Sequence, residues 1–365
     1  MSLLKLCEYI KASDNYEPVV IVGKGKLSKS CFEELGLRCY YIRMFSWSIK
    51  ASQKDNLLYK VLSIAKRIYN IFPQMRIARI IDRENIDLVH INDIHTYVGA
   101  KAALHRSIPI IWHVRVLLEL GQDCVLSRTK DYKLVDSSNT VIFPSKAALE
   151  HYSRVIKNAS KKVIYNGVDP NLFFENKRTL FADSTSRILH VGNMVSGKGQ
   201  NYLIDAVKEI VEKGVTNIRI TFVGGGPLLE KYKKKVTSYN LQEYVSFSGK
   251  QENMAVFYRN ADVLVMSSDA ESFGRVTIEA MLAGCLVMGS CSGATPELLQ
   301  NGECGLLFEP KNSNDLASKL FKIIEMHDRQ KYIEIARKGQ QRAIECFSAK
   351  ANADEIMQCY NNILE

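Results

Sequence analysis

The chain has 365 residues, 46% apolar and 24% charged, with 49 Lys and Arg against 39 Asp and Glu for a net charge of +10. That length exceeds one ordinary core, so two domains of roughly 150–200 residues are expected, with the composition of a folded protein rather than a disordered one. No apolar run approaches the roughly 20 residues of a membrane span. The opening Met1-Ser-Leu-Leu-Lys-Leu-Cys-Glu-Tyr-Ile10 lacks the small-residue cleavage site of a signal peptide. Nine scattered cysteines without a Cys-x-x-Cys pair favour a reduced, cytoplasmic protein over a disulfide or zinc scaffold.

In chain order, Pro18–Val22, Cys39–Ile42, Asp87–Ile91, Pro109–Trp112, Thr140–Phe143 and Lys162–Tyr165 are short, β-branched-rich runs, most of them separated by helix-like segments. This alternation predicts an α/β domain with a doubly wound parallel sheet. Gly23-Lys-Gly25 follows the first run but lacks the third glycine and the later acid of a dinucleotide fingerprint, so that reading is rejected. Between Trp47 and Arg83 lie Lys50, Lys54, Lys60, Lys66, Arg67, Arg76, Arg79 and Arg83, against Asp55 and Asp82 only. Leu57, Leu58, Val61, Leu62, Ala65, Ile68, Tyr69 and Phe72 recur there at helical spacing. Two readings of this basic helix, 54–83, stand: an amphipathic helix packed on its own domain, or an interfacial segment that contacts an anionic membrane. Nucleic acid is the weaker partner for the positive charge, since no recognition motif for it is present.

His90, Asn92, His95 and His113 fall at or after strand ends. Their spacing does not suit a metal site. His113, beside Arg115, is expected to project into a cleft and hydrogen-bond a sugar hydroxyl. Asn166-Gly-Val-Asp-Pro170 then reads as a hinge.

The alternation restarts with Arg187–Val191, Ile218–Val223, Val245–Phe247, Ala261–Met266, Cys285–Met288 and Gly305–Phe308. After the first of these comes Gly192-Asn-Met-Val-Ser-Gly-Lys-Gly-Gln200, in which glycines let backbone approach an anion and Lys198 supplies a charge. It is not a phosphate-binding loop of the Walker type, because no Ser or Thr follows the lysine. Gly224-Gly-Gly-Pro227 and Phe247-Ser-Gly-Lys250 end the next two strands. The most informative stretch is Ser267–Gly284, in which Glu271 is followed by Ser-Phe-Gly and Glu279 stands eight residues on. It reads as strand, tight turn and helix, whose free amides and positive dipole end form an anion site. A carboxylate on either side is then free to accept hydroxyl hydrogen bonds, the chemistry of a sugar nucleotide.

Together these residues resemble the retaining glycosyltransferases of family 4, of polysaccharide-biosynthesis type, which have the GT-B fold of two Rossmann-like domains facing across a cleft. The likeness rests on Asn166–Asp169, Lys198-Gly199, Gly224–Pro227, Phe247–Gly249, Glu271–Gly274, Glu279-Ala-Met281, Gly284 and Glu297. It ends in Phe347-Ser348 and a closing helix through Tyr360–Leu364. It implies an acceptor-side domain at 1–167, a nucleotide-sugar domain at 168–345, and a helix at 346–365 returning to the first.

The resemblance also implies roles. Glu279 would accept ribose hydroxyls, while the amides of Ser272, Phe273, Gly274, Arg275 and Val276, with Lys198, would hold the diphosphate. Gly192, Asn193 and Gly226 would line the donor site, and Gly249 and Lys250 would contact the base. Glu271 would touch the donor sugar, and His113 would face the reacting sugar. Glu271, His113 and Lys198 are the implied catalytic set. The departing phosphate oxygen would take the acceptor proton on the same face, with no metal and no cofactor. The implied partners are a nucleotide sugar and a glycan or lipid-linked acceptor, at the inner face of the cell membrane.

Three departures stand out. Asn193 occupies a position where many relatives have Arg, with Arg275 expected to compensate in part, and Ser267 replaces a common Pro. The chain also opens at what resembles the middle of the family's first helix, so the preceding strand and Gly-rich loop, roughly 20 residues at the centre of a doubly wound sheet, are expected to be missing. This implies a truncated amino-terminal domain, and as an alternative function a catalytically impaired binding subunit.

Overall fold

The structure, a computed structural model, describes residues 2–23, 29–120, 124–176, 179–325 and 329–365. Of the rejected Gly23-Lys-Gly25 motif, Lys24 and Gly25 lie outside the described residues. The chain divides into two compact units: Met1–Gly167 with Ala349–Glu365, and Val168–Ser348.

In the first unit, β1 (Val19–Val22) and β2 (Arg38–Tyr41) form a parallel pair, with Val19 opposite Arg38. A separate parallel sheet contains β4 (Val89–Asn92), β5 (Ile110–His113), β7 (Thr140–Phe143) and β8 (Ser160–Val163), in that order. The small strands β3 (Ser48–Ile49) and β6 (Val125–Leu126) pair antiparallel, too short to carry a sequence signal. Every residue of β5 and β7 is buried, as expected for central parallel strands covered on both faces.

Among the described residues no ladder joins β1 and β2 to the four-stranded sheet. The helix Ser2–Ala12 serves both instead. Its Cys7 packs with Val20, Val22, Phe32 and Cys39, while Leu6 and Ile10 pack with Ile111, Ile142 and Ile164. The carboxy-terminal helix Ala349–Leu364 completes that second cluster through Ala353, Ile356 and Tyr360. Each such buried aliphatic side chain contributes about 1.5–3 kcal/mol relative to exposure.

The basic segment forms two helices, Leu57–Tyr69 and Ile71–Arg83, rather than one. Asn70, between them, is buried and exchanges hydrogen bonds with the backbone of Phe45: its Oδ1 accepts from the amide and its Nδ2 donates to the carbonyl, both at 2.9 Å. Arg67 is not part of a solvated basic face, because its guanidinium pairs with the buried Asp131 and donates to Ser127 Oγ at 2.8 Å.

The second unit holds one parallel six-stranded sheet built from β9 (Ser186–Val191), β10 (Ile218–Val223), β11 (Val245–Phe247), β12 (Val263–Met266), β13 (Leu286–Ser290) and β14 (Leu306–Phe308). Their order is β11-β10-β9-β12-β13-β14. The winding therefore reverses between β9 and β12. In open parallel sheets the loops at the carboxyl ends of the strands flanking such a reversal are where ligands bind. No helix among the described residues is long and apolar enough to cross a membrane.

Candidate active site

The loops after β9 and β12 meet at the reversal point. The Lys198–Gly199 backbone lies directly on Ser267, where a Cβ on Gly199 would come within 1.9 Å of the Ser267 carbonyl oxygen. Gly199 also has φ +73°, so two constraints select glycine there. His190, buried at the end of β9, fixes the contact from below. Its Nε2 lies 3.0 Å from Ser267 Oγ and 3.2 Å from the Lys198 carbonyl oxygen. Burial holds the His190 imidazole neutral, with its pKa down at about 4. A further clasp comes from the Asp269 amide, which donates to the Gly197 carbonyl at 2.8 Å.

The helix Arg275–Leu282 starts at Gly274, whose φ of +90° turns the chain into it without a side-chain cap. Thr277 N donates to the Gly274 carbonyl at 3.0 Å, while the amides of Arg275 and Val276 stand at the dipole's positive end, the place where a helix start receives an anion. Phe273 is buried edge-on against Phe347, so its ring faces the interior of the second unit. Ser272, Arg275 and Val276 are half-buried beside it.

Neither glutamate is free, contrary to the expectation of an open carboxylate on each side. Glu271 pairs with Lys198, Oε1 to Nζ at 2.5 Å. Its backbone is pinned too, for Ala294 N donates to Glu271 O at 2.9 Å. Glu279, 9% exposed, accepts from Tyr258 Oη at 2.8 Å and from Arg275 Nη2 at 3.3 Å. Burial raises the Glu279 pKa, an effect that Arg275 and Tyr258 oppose. Arg275, expected to stand in for the cation missing at Asn193, is thus directed at Glu279. Asn193 itself is exposed, and its carbonyl accepts from Gln200 Nε2 at 3.0 Å.

The other residues expected at the donor site line neighbouring strand ends. Gly192 N donates to Val223 O, and Gly224 N to Gly249 O at 2.7 Å, which ties the loops after β9, β10 and β11 together. Gly226 is exposed over the Met194 backbone, to which Leu228 N donates at 3.0 Å. Lys250 is exposed at its tip, with its stem lying over Gly225. The structure therefore brings together Gly192, Asn193, Lys198, Gly226, Gly249, Lys250, Glu271–Val276 and Glu279 at one end of one sheet. The sequence reading missed Tyr258, His190 and Ala294, since their side-chain or backbone contacts are made by topology and carry no motif.

His113 does not project outward as expected. It is wholly buried in the first unit, its ring stacked 5.5 Å from that of His90, and burial pushes its pKa well below the usual imidazole value. The strand end is covered because His90 Nδ1 is bound to Tyr360 Oη at 2.6 Å, from the carboxy-terminal helix. Arg115 is engaged by Asn92 Oδ1 at 2.8 Å and by Asn166 Oδ1. His95 lies 2.7 Å from Ser48 Oγ. These side chains form an internal network of the first unit.

Comparison with known proteins bears on the domains and the fold. Residues 173–339 match the family described as glycosyl transferases group 1, and residues 50–172 match glycosyltransferase family 4. The chain carries the two domains of a GT-B glycosyltransferase. It is 24% identical over 310 residues to the N-acetyl-alpha-D-glucosaminyl L-malate synthase of Bacillus anthracis, covering 81% of this chain and 80% of that one. Its fold resembles a glycosyltransferase of Rickettsia africae ESF-5, with a TM-score of 0.81 at 19% identity over 100% of this chain and 94% of that one. It also resembles Anabaena HepE in complex with UDP and glucose, with a TM-score of 0.72 at 21% identity over 99% and 95%.

Proposed function

We propose that this glycosyltransferase moves a sugar from a nucleotide-diphosphate sugar to a hydroxyl of a carbohydrate or lipid-linked glycan. The anomeric configuration is retained, no metal or cofactor takes part, and the protein works in the cytoplasm. The observation that carries the reading is the meeting of Lys198 and Glu271 beside the uncapped start of the helix Arg275–Leu282, with Glu279 one turn deeper. The solved relative HepE, which holds UDP and glucose, supports a nucleotide sugar as donor.

Breaking the sugar–phosphate bond builds negative charge on the departing diphosphate and positive charge at the anomeric carbon. Lys198 and the amides from Ser272 to Val276 offset the first, and each such preorganised donor is worth about 3–4 kcal/mol in the transition state. Glu271 lies beside Lys198, where it balances the second and receives sugar hydroxyls. Glu279 accepts the ribose hydroxyls. The departing phosphate oxygen takes the proton of the acceptor hydroxyl, so the bond to the acceptor forms on the face the phosphate leaves. His113 has no part in this step while it stays buried.

A panel of nucleotide sugars screened by thermal shift identifies the donor, because a ligand bound only by the folded state raises the melting point. Proton NMR of the product then reads the anomeric configuration. An inverted product would overturn the retaining reading, and no shift with any nucleotide sugar would overturn the donor reading.

A further inference from the structure

The helix Leu57–Tyr69 turns its apolar face away from the protein. At helical spacing Leu57, Leu58, Val61, Ile64, Ala65 and Ile68 share one side, and all six are exposed, Leu57 at 75% and Leu58 at 62%. The inward side carries Ser63, which is buried, and Arg67, which pairs with Asp131. A surface helix ordinarily does the reverse, with its apolar stripe on the core. The following helix Ile71–Arg83 is ordinary along its length, burying Ile77, Ile80 and Ile81. Its first turn, however, prolongs the outward strip with Ile71 and Phe72, the latter 68% exposed. Among the described residues, ten of the seventeen exposed large hydrophobics lie between Leu57 and Met75. An apolar patch of this kind marks an interaction surface.

We propose that this face docks on an anionic phospholipid bilayer, with the helix Leu57–Tyr69 lying in the plane of the headgroups. Charge decides the occupant. Lys60 and Lys66 fall at the two borders of the apolar side at helical spacing, and Lys54 before the helix and Arg76 and Arg79 in the next one are exposed. Only Asp55 and Asp82 oppose them between residues 50 and 83. Long basic stems at the rim of an apolar helix face reach anionic headgroups while the apolar side chains enter the acyl boundary. A second copy of the same face would instead bring like charges together. Thirteen residues are too short to span a bilayer, so the helix lies on it. This inference stands on the first unit alone and is independent of the donor-site assignment.

The test is co-sedimentation of the protein with phosphatidylcholine vesicles, with and without phosphatidylglycerol. The chain is expected to pellet with the anionic vesicles and to be released by salt. The variant Leu58→Gln/Ile68→Gln/Phe72→Gln changes exposed side chains only, and its thermal unfolding is expected to match the parent. Its partitioning should fall about tenfold or more, as should that of Lys60→Glu/Lys66→Glu. The proposal is overturned if the parent stays in the supernatant with anionic vesicles at low salt, or if the Gln variant binds as well as the parent. It is equally overturned if sedimentation velocity finds a parent dimer that the Gln variant dissolves, which would assign the face to a second copy.

Discussion

The Tyr258 hydroxyl donates to Glu279 Oε2 at 2.8 Å, and both side chains are buried. A tyrosine with no place in the glutamate motif thus sets the direction of the carboxylate assigned to the ribose. Hydrogen bonds to charged groups contribute about 1.5–3 kcal/mol. Tyr258→Phe is therefore expected to weaken nucleoside diphosphate binding about tenfold, measured by calorimetry, with less effect on turnover at saturating donor. Equal affinity would show that Arg275 alone suffices to hold Glu279.

Donor binding is also expected to depend on pH through Glu279. Burial raises its pKa, so it takes up a proton at a higher pH than an ordinary carboxylate. Nucleotide affinity is expected to fall with acidification through that raised value, and Glu279→Gln is expected to abolish the dependence. The stability effect has the opposite sense. A carboxyl with a raised folded-state pKa contributes stability that is present below its unfolded pKa and lost as pH rises through the folded one. Glu279→Gln should accordingly unfold at a temperature equal to or above the parent's at neutral pH while binding nucleotide less well.

His190 makes a separate prediction about acid stability. Its imidazole is buried neutral with a pKa near 4, whereas the unfolded chain protonates it near the ordinary value of about 6.5. The stabilisation is full above that value and declines as pH falls toward 4, by about 1.4 kcal/mol per pH unit for one proton. His190→Gln should flatten the urea-unfolding pH profile by about one proton in that window. The decline would persist below it, because His90 is held lower still, at about 3, by burial.

The Lys198 loop is predicted to be intolerant of added bulk. An alanine at Gly199 would keep φ at +73° and drive its Cβ into the Ser267 carbonyl, so the loop must move. The left-handed backbone alone costs about 1–2 kcal/mol for a residue with a Cβ. Gly199→Ala should reduce kcat/KM by more than tenfold, measured with the donor found by screening. Gly197→Ala has the same backbone penalty but no atom within 4 Å of its Cβ, and should cost less.

Much of the second unit's fold was legible because its physics is local. The β-branched runs Arg187–Val191 and Ala261–Met266 become β9 and β12, and the glycines after them mark turns wherever they occur. What the sequence leaves open is which of two surfaces a side chain faces. The 3.6-residue period identifies Leu57–Tyr69 as amphipathic, but the same pattern fits a face packed inward or turned outward. His113 ends a strand as expected, yet its exposure depends on Tyr360, brought over its neighbour His90 from the far end of the chain. Tyr258 meets Glu279 from 21 residues away because β12 separates their helices. Such contacts belong to topology, and no short motif encodes them.

Glu279 and Lys198 are proposed to hold the two ends of a nucleoside diphosphate on one unit. Titration of UDP, or of whichever nucleoside diphosphate gives the largest thermal shift, into the parent, Glu279→Ala and Lys198→Ala proteins tests it directly. Saturable binding to the parent and a loss of at least about tenfold in each variant are expected, within the range for removing a hydrogen bond to a charged group. Unchanged affinity in Glu279→Ala, with the protein folded, would contradict it.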